Sequence, residues 1–411
     1  MADRVTVIGW DGSPLSTAGR AALDGATLVA AGQYLLQQLP LPAGAERFAL
    51  GSTELAARRI AEHRGAAVVV AEGDPGFFGV VRTLRRPEYG LELEVLPAVS
   101  SVAAAFARVG MPWDDAQVVS AHGRGLRRCV NVCRSHSKVA VLTAPGAGPT
   151  ELALMLRDVH RTFVVCEALG TPEEEVTVLT SDRVADHLWR EPNVVLVIGG
   201  GRTAAAGGST AVSGWLAGRP VDFPSGRRGW AQPPAAAGDG RAEGLSAEAR
   251  AVALARLGPR LGDLVWDIGP ADESLAVELG RFGAAVVAVD EDPEACARLT
   301  AEARGGGVEA EVVTGQLPGV LGELPEPDVV LLRGDTRALP ACLGRRPERV
   351  VVVPRTVPEV EEARRAFGEV GYRMDGVLLQ SSGLVQGDAP GRAGSLLTGS
   401  QPAFLLWGER P

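Results

Sequence analysis

Three short segments pair residues able to do chemistry with glycines that let a ligand reach the backbone. The first, Gly9-Trp10-Asp11-Gly12-Ser13-Pro14-Leu15-Ser16, follows the apolar run Val5–Ile8. A Gly-rich turn at the carboxyl end of a first strand allows close approach of a bound molecule, and Ser16 or Thr17 can cap the helix after it. A plain strand-to-helix turn fits this fragment as well. The second segment, Glu72-Gly73-Asp74-Pro75-Gly76-Phe77-Phe78-Gly79, follows Val68–Ala71. Asp74 would aim a carboxylate, and the glycines bare N–H groups, at one crevice walled by Phe77 and Phe78. That suits a polar, cationic or zwitterionic ligand; a sharp structural turn with two core phenylalanines is the other reading. The third, Pro97-Ala98-Val99-Ser100-Ser101, leads from the run Glu92–Leu96 into a helix that Ser100 or Ser101 can cap, its amino terminus facing the strand ends.

A further constellation lies late in the chain. Leu264-Val265-Trp266-Asp267-Ile268-Gly269-Pro270 reads as strand and turn, and Asp290 closes the next strand about twenty residues on, where an acidic side chain can accept hydrogen bonds from a ribose. Cys129 and Cys133 share a helical face near His136, but no fourth ligand accompanies them, so packed thiols are expected and no metal.

The elements that must position these residues fall into two blocks. In residues 1–200, apolar runs at Val5–Ile8, Ala66–Ala71, Glu92–Leu96, Val139–Leu142, Phe163–Glu167 and Val194–Ile198 suit strands buried on both faces, with helical patterns at Ser52–His63 and Pro149–Val159. Residues 201–244 are rich in Gly, Pro and Ala without periodicity and read as a linker. In residues 245–411 the rhythm is Ser246–Leu257 helix, Leu264–Ile268 strand, Ser274–Phe282 helix, Ala285–Val289 strand, Pro293–Arg304 helix, then strands at Glu309–Val313, Val329–Leu332 and Arg349–Val353. That alternation predicts a doubly wound α/β domain.

Composition sets bounds. The chain has 411 residues, 46% hydrophobic and 22% charged, which excludes wholesale disorder. Acidic residues outnumber basic ones, 50 to 41, so general nucleic-acid binding is not expected, and an anionic substrate would need a local basic patch. Five scattered cysteines predict a reducing cytoplasm rather than a disulfide framework. Met-Ala-Asp-Arg runs straight into Val5–Ile8, so no signal peptide is expected, and no stretch is long and apolar enough to predict a membrane span.

The first-block segments, with Met111-Pro112-Trp113-Asp114-Asp115-Ala116 and Ser120-Ala121-His122-Gly123-Arg124, resemble the tetrapyrrole methylases of corrin synthesis. More narrowly they resemble the N-terminal half of the precorrin-6Y C(5,15)-methyltransferase (decarboxylating) family. The second block, with Gly218-Arg219-Pro220 and Gly229-Trp230-Ala231 before it, resembles the class I Rossmann-like methyltransferase half of the same fused family. The resemblance implies a two-lobed α/β methylase fold, a linker and a Rossmann-like fold. It implies S-adenosylmethionine as cofactor, lying in a cleft lined by Gly9, Asp11, Gly73, Asp74, Phe77, Ser100 and Ser101, and in the second half by Asp267, Gly269 and Asp290. A polycarboxylate precorrin is the implied substrate, and a homo-oligomer is compatible with it. Arg124, Arg127 and Arg128, with Arg134 and Lys138 nearby, would then meet carboxylates, and His122 would orient substrate or move a proton; a solvated helix face and a hydrogen-bonded structural histidine are the alternatives.

The implied activity is methylation of a precorrin ring in cobalamin biosynthesis, at C-5 by the first half and at C-15 with decarboxylation by the second. The alternative is C-5 methylation alone, with the second half a substrate-binding or structural lobe. Departures from the family pattern favour weak or absent cofactor binding by that half. Only Gly269 survives of its glycine-rich loop, Pro270, Asp272 and Glu273 crowd it, Gln316 stands where the family has Asp, and Arg333 stands where it has a second Gly. In the first half the opening turn is shortened to Gly9-Trp10-Asp11-Gly12.

Overall fold

A computed structural model describes residues 4–122, 125–199, 245–269, 275–387, 394–399 and 402–411. They form two compact units. The first holds the described residues up to His122 together with Lys138–Ile198, and the second holds Gly125–Ser137 together with the described residues from Leu245 onward.

The first unit contains two five-stranded sheets. One is parallel, in the order β3-β2-β4-β1-β5, from β1 (Arg4–Trp10), β2 (Leu28–Ala31), β3 (Glu46–Ala49), β4 (Ala66–Glu72) and β5 (Leu93–Leu96). Val5, Val7, Leu28 and Val69 fill one face with Ile60 and Leu84; Ile8, Val29, Val68 and Val70 fill the other with Leu23 and Leu35. Burial on both faces is why β1 and β4 are unbroken apolar runs. The other sheet runs β6-β7-β10-β8-β9, from β6 (Gln117–Ser120), β7 (Lys138–Leu142), β8 (Thr162–Glu167), β9 (Glu175–Thr180) and β10 (Asn193–Ile198). Only β6 and β7 are parallel neighbours in it. The helix Ser101–Arg108 buries Val102, Ala105 and Phe106 against it. The helix expected over Pro149–Val159 stops at Met155, because Leu156 leaves helical geometry and its N–H turns back to Leu152 and Ala153.

The second unit is built on β11 (Leu264–Ile268), β12 (Ala285–Asp290), β13 (Ala310–Thr314), β14 (Val329–Arg333), β15 (Arg349–Val353), β16 (Arg373–Leu379) and β19 (Ala403–Glu409), in the order β13-β12-β11-β14-β15-β19-β16. The first five are parallel, and β19 runs antiparallel to both its neighbours. A hairpin of β17 (Ser382–Gly387) and β18 (Gly394–Gly399) lies apart. The connections diverge between β11 and β14, and that switch point is where an open α/β sheet offers its ligand crevice. The expected helix Ser274–Phe282 is shorter, Ala276–Arg281. The helix Leu126–Ser135 comes from the first sequence block yet belongs to this unit. No helix among the described residues is long and apolar enough to cross a membrane.

Candidate functional site

In the first unit the carboxyl ends of β1, β4 and β5 bring the three glycine- and serine-bearing segments together. Gly73 N–H donates to Trp10 O at 2.7 Å, pinning the second loop to the first. A Cβ at Gly9 would stand 2.6 Å from Gly73 O and 2.7 Å from Ala98 N, so only glycine lets all three loops meet there. Gly73 has φ +63, and a Cβ on it would reach 3.0 Å from Ser101 N at the start of the helix Ser101–Arg108. Ser100 caps that helix by accepting from Ala103 N at 3.1 Å.

Asp11 acts as a tie between loops. Its Oδ1 accepts from Ser13 N at 3.0 Å and from the Ser13 hydroxyl at 2.5 Å, and its Oδ2 accepts from Val99 N at 3.1 Å. The Ser13 hydroxyl, helped by the N–H groups of Val99 and Ser13, holds the Asp11 carboxyl below the ordinary carboxylate range against the opposing effect of burial. Asp74 turns back on its own loop, where Oδ1 accepts from Gly76 N at 2.9 Å. Phe77 packs against the core of the second sheet, beside Val102 and Phe106, so it anchors the loop. Phe78 stays 41% exposed, with φ +54 and its ring edge-on to Phe77 at 5.0 Å.

A fourth loop joins these, one not singled out from the sequence. After β8, Gly170 at φ +77 lies against the first loop: a Cβ on Gly12 would be 1.9 Å from Gly170 O, and one on Gly170 would be 2.3 Å from Asp11 O. Gly170 N–H donates to Glu174 Oε2 at 2.8 Å, and Arg108 pairs with the same carboxylate, holding it below the usual range. The available signal was the strand end followed by Ala168-Leu169-Gly170-Thr171-Pro172. His122 is exposed; its N–H donates to Ser120 Oγ at 3.2 Å, with Nδ1 3.4 Å from the same oxygen. Arg124 lies outside the described residues.

The basic cluster does not stand free. Arg127 pairs with Asp328 at 3.1 Å and donates to Glu326 O; Arg128 sits 3.8 Å from Asp263 and donates to Leu261 O; Arg134 approaches Glu311. Between them buried Asn131 donates to Gly262 O at 3.0 Å and to Asp328 Oδ2 at 3.3 Å. These partners lie at the ends of the second unit's sheet opposite its ligand crevice, so Arg127 and Arg128 fasten a helix to that sheet rather than line a cleft. Lys138 is 2% exposed, with Nζ bonded to Asp115 at 2.6 Å and to Pro112 O at 2.9 Å. The Met111–Ala116 segment is thus a clasp around a buried ammonium, with Trp113 stacked on Phe106. Cys129 and Cys133 are both buried and form no disulfide.

In the second unit Asp267 is fully buried. Its Oδ1 accepts from Arg333 Nη2 at 2.6 Å and its Oδ2 from Leu275 N at 3.2 Å. Gly269 has φ +64, and the space for a Cβ is filled by Arg333 O at 2.4 Å. Asp290 accepts from Asp292 N at 2.9 Å, and Glu291 accepts from Leu317 N at 3.0 Å, tying the loop after β12 to the loop after β13. Pro270, Asp272 and Glu273 fall outside the described residues.

Comparison with known proteins places both blocks. The family described as "Tetrapyrrole (Corrin/Porphyrin) Methylases" matches residues 11–185, and that described as "Precorrin methyltransferase domain" matches residues 242–382. A precorrin-6Y C(5,15)-methyltransferase (decarboxylating) of Sinorhizobium sp is 34% identical over 69% of this chain and 66% of that protein. One of Mycobacterium tuberculosis (strain ATCC 25618 / H37Rv) is 30% identical over 88% of this chain and 89% of that protein. A cobalt-precorrin-7 C(5)-methyltransferase of Salmonella typhimurium is 35% identical over 45% of this chain and 92% of its own length.

Proposed function

Because the chain belongs to the precorrin-6Y C(5,15)-methyltransferase (decarboxylating) family, we propose that it methylates a precorrin ring with S-adenosylmethionine in cobalamin biosynthesis, in the cytoplasm, and that the first unit carries the transfer to C-5. The observation that carries this reading is the close packing of four loops at Gly9, Gly12, Gly73 and Gly170 at the carboxyl ends of the strands, where a Cβ would strike the backbone of a neighbouring loop. Glycines there let the loop backbones approach one another at the strand ends, where an open α/β sheet offers its ligand crevice. Gly9, Asp11, Gly73, Asp74, Ser100 and Ser101 are the residues we assign to the donor, with Phe77 as the anchor behind them. The division of labour follows residues 1–200 and 245–411, with 201–244 between.

S-adenosylmethionine supplies an activated methyl on a sulfonium, so the protein has little covalent work to do. The first unit's task is alignment of donor and ring carbon and exclusion of water. Asp11 holds the first loop to the β5 loop, and Gly73 N–H holds the second loop to the first, which fixes the cleft walls before binding. Preorganisation of this kind reduces the ordering cost of catalysis. Substrate carboxylates are not assigned to Arg127 and Arg128, whose guanidinium groups are engaged elsewhere; His122, exposed beside the β6 end, keeps its assignment to the substrate.

Incubation with a precorrin acceptor and methyl-labelled donor, followed by mass spectrometry of the ring, tests the proposal. At least one added methyl, mapped to C-5, is expected. No added methyl, with the acceptor still bound, would make the chain a binding protein.

A further inference from the structure

The switch-point crevice of the second unit is bridged by its own side chains. Asp267 is the penultimate residue of β11 and Arg333 ends β14, the two strands between which the connections diverge. Arg333 Nη2 reaches across to Asp267 Oδ1 at 2.6 Å, with both residues buried, 7% and 0% exposed. The second carboxylate oxygen takes Leu275 N, and Arg333 O presses on Gly269 where a side chain would otherwise begin. On the far side of the crevice Glu291 clips the β12 and β13 loops together through Leu317 N.

We infer that Arg333 is a built-in cation that takes the place of the donor in the second unit, so that the chain binds one S-adenosylmethionine, in the first unit, and adds one methyl. This rests on the proposed methyl-transfer function. S-adenosylmethionine carries both a sulfonium and an ammonium. A buried carboxylate at the crevice would favour such a cation, but Arg333 has already neutralised it, and a second cation beside a buried guanidinium is repelled. The guanidinium also occupies the ground where strand-end backbone would approach a ligand. Loss of Arg333 alone would return both the space and the uncompensated charge. It follows that the other methyl of the two-methyl family reaction must come from a separate S-adenosylmethionine-dependent methyltransferase acting on the same ring.

The test uses the full chain and S-adenosylmethionine labelled in the methyl group. Equilibrium dialysis counts bound donor, and ultraviolet cross-linking followed by proteolysis maps it. One mole per mole is expected, with label only in peptides from residues 1–200. Label in peptides from residues 245–411, or two moles bound, overturns the inference. Arg333→Gly is expected to raise the count from one to two and bring label into residues 245–411, whereas Arg333→Lys, which keeps the cation, stays at one. A count that stays at one in Arg333→Gly refutes the role given to Arg333. If that variant does not fold, the donor count and the label map of the native chain still decide between one site and two. No donor bound by the native chain would sink the first-unit assignment while leaving the second crevice closed as inferred.

Discussion

Replacing Gly12 with alanine tests whether the joint between the first loop and the β8 loop sets the shape of the cleft. The substituted Cβ would stand 1.9 Å from Gly170 O, and Gly170 cannot withdraw freely because its own Cα side faces Asp11 O. Side-chain carbons do not approach closer than 3.0 Å to such atoms, so the loops must part by about 1 Å. Gly12 also sits at φ +90, and left-handed geometry costs an L-residue about 1–2 kcal/mol. Forced overpacking adds about 1–3 kcal/mol. The expected loss is therefore about 2–5 kcal/mol, a large share of a typical stability of about 5–15 kcal/mol. The chemical effect follows from Asp11, whose carboxylate reaches Val99 N from the adjacent position. A shift of about 1 Å in groups that align reactants can cost on the order of 100-fold in rate. Urea unfolding gives the first quantity and single-turnover methyl transfer the second. Gly44→Ala is the control, since nothing lies within 4 Å of its added Cβ. If Gly12→Ala stays within about 0.5 kcal/mol of that control, the scatter of ordinary surface changes, and transfers methyl at the native rate, the reasoning is wrong.

Other consequences can be measured separately. Asp11 has a depressed carboxyl, so its contribution is present above the ordinary carboxylate range and is lost as pH falls through the lowered value; the urea midpoints of native chain and Asp11→Asn should differ at pH 6 and converge in acid, and a gap that widens in acid would contradict this. Lys138→Met strands Asp115 and should destabilise the first unit by about 3 kcal/mol or more, with Asp115→Asn in the same chain restoring part of the loss in thermal unfolding. Asn131→Ala removes two bonds that hold the helix Leu126–Ser135 to the second unit. A cost of about 1–3 kcal/mol is expected, confined to hydrogen-exchange protection in β11 and β14; unchanged protection there would show that the helix is only resting on the sheet.

What the sequence made legible were features with local causes. β1, β4, β8, β10, β11, β12 and β14 announce themselves as unbroken Val, Ile and Leu runs because both faces are buried. β9 and β16 escaped notice because they lie at sheet edges, where burial is partial and the residues alternate. The Gly9, Gly73 and Ser100 loops were legible because glycine and capping serine are short-range requirements. The β8 loop was not, because the reason for Gly170 is Gly12, far off in the chain.

Charge was the hardest property to read, for a physical reason. The spacing of Arg127, Arg128, Arg134 and Lys138 suggests a receptor for carboxylates, but whether a cation is available depends on acids brought in by the fold. Asp328, Asp263 and Glu311 arrive from the second block and Asp115 from the preceding strand connection. Arg333 shows the same effect at a ligand crevice, since it reads as a substitution in a loop and becomes a closed ion pair only through the β11–β14 register. With 50 acidic side chains to 41 basic ones, internal neutralisation of a guanidinium is the favoured outcome wherever burial removes water. A cationic residue can therefore be assigned to a polycarboxylate substrate only after its partners in the fold have been found, and the same holds for an acidic residue and a cationic donor. Asp11 and Asp267 both lie within one residue of the carboxyl end of the first strand of their units; Asp11 spends its charge on a hydroxyl and backbone N–H groups, which leaves its net charge in place, whereas Asp267 spends its charge on an arginine, which does not. That difference is the physical basis for placing the donor in the first unit alone.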